Sequence, residues 1–429
     1  MRRCPDRRLP VHTLSILLVL VGVCLWGAAR AAAAEPAFEA PPVLSARSLL
    51  PADMLVGPLF QVDDTVPTDG YMGHYTLRSP LGTFTVAGHD LLKTRIAELV
   101  AIQQLDQMSQ TDVFLKGMAG AAAKPVESAM NLITDPVQTV QSIPAGLGRF
   151  FDRVGLGAQS IMAANSDPGK TGQEKTAETA QRVGDVTITA LGFEQARRQL
   201  AKGLGVDPYT SNPVLTEKLT NTAWVSFSGR VGVNLLVSAV VPASMAISAT
   251  SFTNDLVYDT SKADLIVQNR QKMITMGASE AQADALLKNR WYSLTVLTSL
   301  VSELERLAGL AGRPEVIALA ATIENEQEAR FLAASAQMLA TLNVTGVPLK
   351  ELAARRTVVG ITSDGAIVVP APVDYLSWTE SIGRVAGRPD LQAPRRGIWL
   401  AGRMSARAQQ GFSSMGWAFH KGPAASEKW

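Results

Sequence analysis

The chain has 429 residues and 45.7 kDa, of which 47% are hydrophobic, 6% aromatic and 18% charged, with a formal charge of +2. That balance excludes a disordered chain, a collagen-like repeat and a small disulfide-stapled scaffold, and it offers no basic footprint for nucleic acid. A mean hydropathy of +0.11 at this length calls for extensive burial, in about two to three domains.

The first 34 residues read as an address. Arg2, Arg3, Arg7 and Arg8 precede an apolar run from Thr13 to Trp26, and Ala32-Ala33-Ala34 supplies small residues for cleavage after Ala34. This order predicts a cleaved Sec-type signal peptide and an exported protein, periplasmic or secreted. The run is short for a retained span of about 20 residues. A lipid anchor on Cys24 would need a small residue where branched Val23 stands. Both cysteines, Cys4 and Cys24, lie in this segment, so the exported chain is expected to carry no disulfide and no thiolate metal site. The segment also holds five arginines and one aspartate, and its removal turns the formal charge from +2 to −2.

Residues 35–56, rich in Ala and Pro, read as a flexible lead-in. Residues 57–164 read as a small β element followed by helices. Phe60–Val62, Tyr71–Leu77 and Thr83–Val86 have strand character between turn residues. Asp90 is then expected to cap a strongly amphipathic helix, with Leu91, Leu92, Ile96, Leu99, Ile102 and Leu105 along one stripe. Pro125, Asp135-Pro136 and Pro144 mark further helix starts.

Residues 165–179 form a polar linker, and 180–345 a helical domain. Gly203, Gly205 and Gly277 end helices, Ser279 with Gln282 offers a capping box, and two long helices are expected at Leu286–Leu310 and Glu315–Leu342. Residues 346–429 read as a small α+β module. It has a hairpin at Asp364-Gly365, a helix over Val373–Val385, a strand over Ile398–Ala401, a helix from Ser405 to Ser414, and a strand at Trp417-Ala418-Phe419 that suits a parallel pair. The expected fold class is mainly α: a multi-helix domain with an N-terminal small β element and a C-terminal α+β module.

Motifs that would announce a reaction are incomplete. Gly169-Lys170-Thr171 has the ending of a phosphate-binding loop, but Ala164 stands where the motif needs glycine, and the surroundings are linker-like. Gly146-Leu147-Gly148 and Gly155-Leu156-Gly157 lack the third glycine of a dinucleotide fingerprint. Past the leader the histidines are His74, His89 and His420, without the paired helical spacing of a zinc site. No metal and no cofactor are therefore expected.

Four groups of residues stay as candidates. His89 and Asp90 sit where a strand meets a helix, a place suited to a dispersed Ser/His site, although packing and capping explain them more simply. Glu324, Gln327, Glu328 and Phe331 share a helical face with Ile317 and Ala320. Inward carboxylates at Glu324 and Glu328 would meet Arg290, Arg306 or Arg330, or else act as an acid/base pair. Asp207, Tyr209, Thr210 and Asn212 lie in the stiff connector Gly205–Pro213, which is an ordered helix–helix turn first and a binding site second. Val231–Asn254 carries no charged residue, reading as a buried element first and a membrane-inserting segment second.

These readings converge on an exported cell-envelope protein, non-enzymatic, that binds or assembles with an envelope protein or a small ligand and has no nucleic-acid partner. The rivals are an envelope hydrolase using a carboxylate or a dispersed Ser/His site, and a membrane-active protein inserting 231–254.

Overall fold

The computed structural model describes residues 37–120, 192–229, 231–238 and 255–423. The expected signal peptide, the helix starts at Pro125, Asp135-Pro136 and Pro144, the glycine pairs near 146–157, the linker 165–179 and residues 239–254 lie outside them. Among the described residues 53% are helical and 19% strand, so the chain is mixed α/β rather than mainly α.

The N-terminal part is built from short strands. In order come β1 (Val43–Ser45), α1 (Ala46–Leu49), a 3-10 turn (Ala52–Met54), β2 (Val56–Gly57), β3 (Phe60–Val62), β4 (Thr65–Pro67), β5 (His74–Ser79) and β6 (Gly82–Ala87). Strands β2-β3-β5-β6 form an antiparallel sheet, and β1 pairs antiparallel with β4. Residues 43–56, placed by sequence in the lead-in, are thus part of the fold. Tyr75 and Leu77 alternate into the core beneath the sheet.

Helix α2 (His89–Ser109) follows. Leu92, Ile96 and Leu99 face the core of this sheet, while Ala101, Ile102, Leu105 and Met108 face a separate helical core. A helix gripped from two sides has no single apolar stripe, and Thr94, Glu98 and Gln104 are buried with the rest. The expectation of a strongly amphipathic helix fails for that reason.

The helical core on its far side gathers α3 (Asp112–Gly120), α4 (192–204), α5 (Pro213–Ser228) and α6 (Val233–Ser238). Next come α7 (Asp255–Asp259), α8 (Lys262–Thr275), α9 (Glu280–Leu287), α10 (Leu294–Arg306), α11 (Arg313–Ala321) and α12 (Glu326–Thr345). The capping box of Ser279 and Gln282 starts α9. Both long expected helices are interrupted by a cap. Ser293 accepts the Val296 N–H to start α10, and Asn325 accepts the Glu328 N–H to start α12.

The remainder is a layered α/β unit. Strands β7 (Leu349–Ala354), β8 (Val358–Thr362), β9 (Ile367–Ala371), β11 (Arg396–Leu400) and β13 (Trp417–Lys421) make a sheet of order β13-β11-β9-β8-β7. The β13, β11 and β9 strands are parallel, whereas β9, β8 and β7 are antiparallel. Val358 and Val368 enter the core shared with α8–α12. Their neighbours Val359 and Ile367 enter the opposite core, shared with α13 (Glu380–Ala386) and α14 (Ala406–Ser414). A sheet covered on both faces needs unbroken apolar strands rather than alternating ones. Between β9 and α13, β10 (Tyr375–Leu376) pairs parallel with β12 (Arg403–Met404). The helix expected from Val373 therefore begins only at Glu380, behind its Thr379 cap.

Candidate functional site

A cavity of about 730 Å³ opens where the N-terminal element meets the α/β unit. The chain leaving β9 (Pro372, Val373, Asp374) and the chain leaving β11 (Ala401, Gly402, Arg403) form one wall. Ligands of open α/β sheets bind beyond the carboxyl ends of the parallel strands, and this wall has that position. Gly402 makes it possible: a Cβ there would stand 2.2 Å from the Val373 carbonyl oxygen and 2.3 Å from that of Asp374. The 3-10 turn, the start of α2 and α12 complete the lining through Met54, His89, Asp90, Lys93, Arg330 and Phe331.

Asp374 organises this cavity. Its Oδ2 accepts the Gly73 N–H at 3.0 Å and the Tyr75 hydroxyl at 3.4 Å, and its Oδ1 accepts the His89 N–H at 3.1 Å. Burial pushes the Asp374 carboxyl above its ordinary range, against the pull of the two backbone N–H groups and of His89. The same burial, with Asp374 beside it, raises the Tyr75 phenol. Gly88, with φ of 88°, occupies the N-cap of α2 and offers no side chain. Asp374 therefore caps α2 from the far end of the chain, and Asp90 lies in the first turn instead. The His89 ring Nε2 lies 3.1 Å from Met54 Sδ.

Behind the cavity runs a partly buried ionic network. Asp90 Oδ2 faces Arg330 Nη1 at 3.8 Å, and Arg330 Nε donates to Glu326 Oε1 at 3.0 Å. Glu326 also accepts from Ser211 Oγ at 2.9 Å and from Arg95 at 3.5 Å. Burial opposes ionisation of Glu326, but Arg330 and Arg95 outweigh it and hold the carboxyl below its usual range. Arg95 donates in turn to the wholly buried Glu98 at 2.7 Å, and Glu98 also accepts from Thr210 Oγ1 and, at 3.0 Å, from Asn212 Nδ2. Asp207, also buried, accepts the Tyr209 N–H at 2.8 Å and the Thr295 hydroxyl. Burial raises its pKa.

The sequence-derived candidates separate cleanly on this map. His89 and Asp90 line the cavity. Asp207, Thr210 and Asn212 spend their polar atoms inside the network, and Asn212 Oδ1 also caps α5. Tyr209 is buried beneath the Arg197 guanidinium, 5.9 Å from its ring centre. None of the four lines the cavity. Glu324 and Glu328 are exposed, since the break at 322–325 rotates them outward and turns Glu326 in. Of the three expected arginines only Arg330 reaches this network, because Arg290 stacks on Trp291 and Arg306 pairs with Glu303.

Asp374, Glu98 and Glu326 are the residues that sequence reasoning missed. Glu98 had a signal, as a carboxylate on the apolar flank of a helix. Asp374 had none, because its partners lie about three hundred positions away in sequence. Compared with protein-family models, curated protein sequences and solved structures, the chain shows no significant match.

Proposed function

We propose that the chain is an exported, non-enzymatic protein of the cell envelope that holds a small ligand in the cavity beyond β9 and β11. The cavity itself carries the reading. At about 730 Å³ it falls in the range of small-molecule sites, roughly 300–1,000 Å³, and it mixes apolar walls with a few fixed charges. Export rests on the leader pattern of Arg2 to Ala34.

The hydrolase alternative has one observation behind it, the raised carboxyl of Asp374 on the cavity wall. All three of its hydrogen bonds come from donors that tie backbone and phenol in place, which favours a holding role. Membrane insertion rests on 231–254, of which only 231–238 are described.

The test is native mass spectrometry of protein recovered from the envelope fraction, paired with N-terminal sequencing. The expected result is a chain that starts at Glu35 and carries a non-covalent ligand released on denaturation. A native chain starting at Met1 defeats the export reading. A ligand-free chain whose melting no small molecule shifts defeats the binding reading.

A further inference from the structure

We propose that His89, Met54 and Met72 form a binding site for a soft monovalent metal ion, Cu(I), on the wall of the cavity. The proposal rests on the cavity being the binding site, which supplies the ion's route in and out.

Three soft or borderline donors, from three separate segments, line this one cavity. His89 Nε2 and Met54 Sδ are 3.1 Å apart. Met72 Sδ lies 3.5 Å from the position a Cβ would take on Gly88, the residue next to His89. All three side chains line the cavity, and both methionines are more than nine-tenths buried, at 8% and 7% exposure. Thioethers are neutral and polarisable, so they hold hard divalent ions poorly and select Cu(I), while imidazole adds a stronger nitrogen donor.

The spacing of His89 and Met54 suits a shared ion. Metal–nitrogen and metal–sulfur bonds of roughly 2.0 and 2.3 Å, as at zinc, enclosing about 110°, set N and S about 3.5 Å apart. The observed 3.1 Å needs an opening of about 0.4 Å, within reach of methionine's flexible side chain. Asp374 is the positioning residue: its carboxylate binds the N–H groups of Gly73 and His89, fixing the two segments that carry Met72 and His89. Hard divalent ions lack an equivalent site, because among the described residues no three His, Asp or Glu side chains converge.

The test is anaerobic titration of the full exported chain with Ag(I), and with Cu(I) in competition with a chromophoric Cu(I) chelator. One equivalent should bind, and X-ray absorption should show two sulfur neighbours and one nitrogen. Met54→Leu and Met72→Leu preserve side-chain volume, and each should weaken binding by roughly tenfold, with about a hundredfold loss for the pair. Urea melts of the variants report on folding. Absence of stoichiometric uptake, an unchanged affinity in the double variant, or a metal shell without sulfur in the unaltered protein each overturns the proposal. If Cu(I) fails but native mass spectrometry finds an organic ligand, the metal site falls and the cavity reading survives.

Discussion

Glu98→Ala is the sharpest perturbation of the ionic network. The glutamate has no exposed surface, and it accepts from Arg95 at 2.7 Å, from Asn212 at 3.0 Å and from Thr210. Removing one partner of a buried ion pair costs about 3–5 kcal/mol. An orphaned donor such as Asn212 Nδ2 costs about 1–3 kcal/mol when it stands alone. These figures do not simply add, because Arg95 keeps Ser211 at 3.0 Å and Glu326 at 3.5 Å, and the Thr210 hydroxyl is free to rotate. The expected loss for the alanine variant is therefore about 3–5 kcal/mol. Glu98→Gln retains one acceptor oxygen and should cost about 1–3 kcal/mol. Urea unfolding followed by tryptophan fluorescence reads both, and the double variant Glu98→Ala with Arg95→Met closes a cycle. The pair should cost less than the sum of its parts by about 0.5–3 kcal/mol. An alanine variant that loses under about 1 kcal/mol, or a cycle that is additive, refutes the network as a structural weld.

Two further perturbations test a buried carboxylate and the glycine turns. Burial raises the folded pKa of Asp207 above its ordinary 3.8, so the ionised carboxylate penalises the fold at neutral pH, and the penalty is relieved as pH falls through the folded pKa. Asp207→Asn should accordingly be more stable than the unaltered chain at neutral pH, with the difference shrinking toward zero below 3.8; a difference that grows on acidification contradicts the reading. Gly312 and Gly365 both have positive φ, but a Cβ on Gly312 would stand 1.8 Å from the Leu352 carbonyl oxygen while one on Gly365 meets open space. Gly365→Ala should cost only the left-handed strain of about 1–2 kcal/mol, whereas Gly312→Ala should cost clearly more by separating α11 from β7, and equal melting shifts would disprove the distinction.

Local signals were legible in the sequence wherever a residue acts on its neighbours. The box of Ser279 and Gln282, the hairpin at Asp364-Gly365 and the Ser405 cap are all present because each is settled within a few residues. Long-range competition defeated the rest. Leu349–Ala354 contains Leu, Lys, Glu and Ala, which favour helices in isolation, yet pairing with β8 makes it a strand. Thr322 to Asn325 interrupts what looks like a continuous helical face. That break turns the half-buried Glu326 toward Arg330 and leaves Glu324 and Glu328, the two residues named from the sequence, exposed. The cavity wall was illegible for a different reason: its carboxylate and its donors come from opposite ends of the chain.

Those two ends are joined by a reciprocal exchange of carboxylates. Asp374 reaches forward to the N–H groups of Gly73 and His89, while Glu39 reaches back to the Trp378 N–H and the Ser405 hydroxyl, each at 2.6 Å. Backbone bonds from Glu39 to Trp378 and from Ser377 to Gly70 run beside them. The joint combines these polar contacts with apolar ones, since Phe38 packs on Trp378 and Tyr71 packs against the same core, and each side keeps a core of its own, Tyr75 and Leu77 on one and Trp378 and Phe412 on the other. The cavity lies in this seam and is lined from both sides, by Met54 and Tyr75 on one and by Val373 and Asp374 on the other. A ligand held there, as proposed, would contact both sides, so its occupancy would stabilise the joint by RT times the logarithm of ligand concentration over Kd, and ligand binding and docking of the two ends would become one equilibrium.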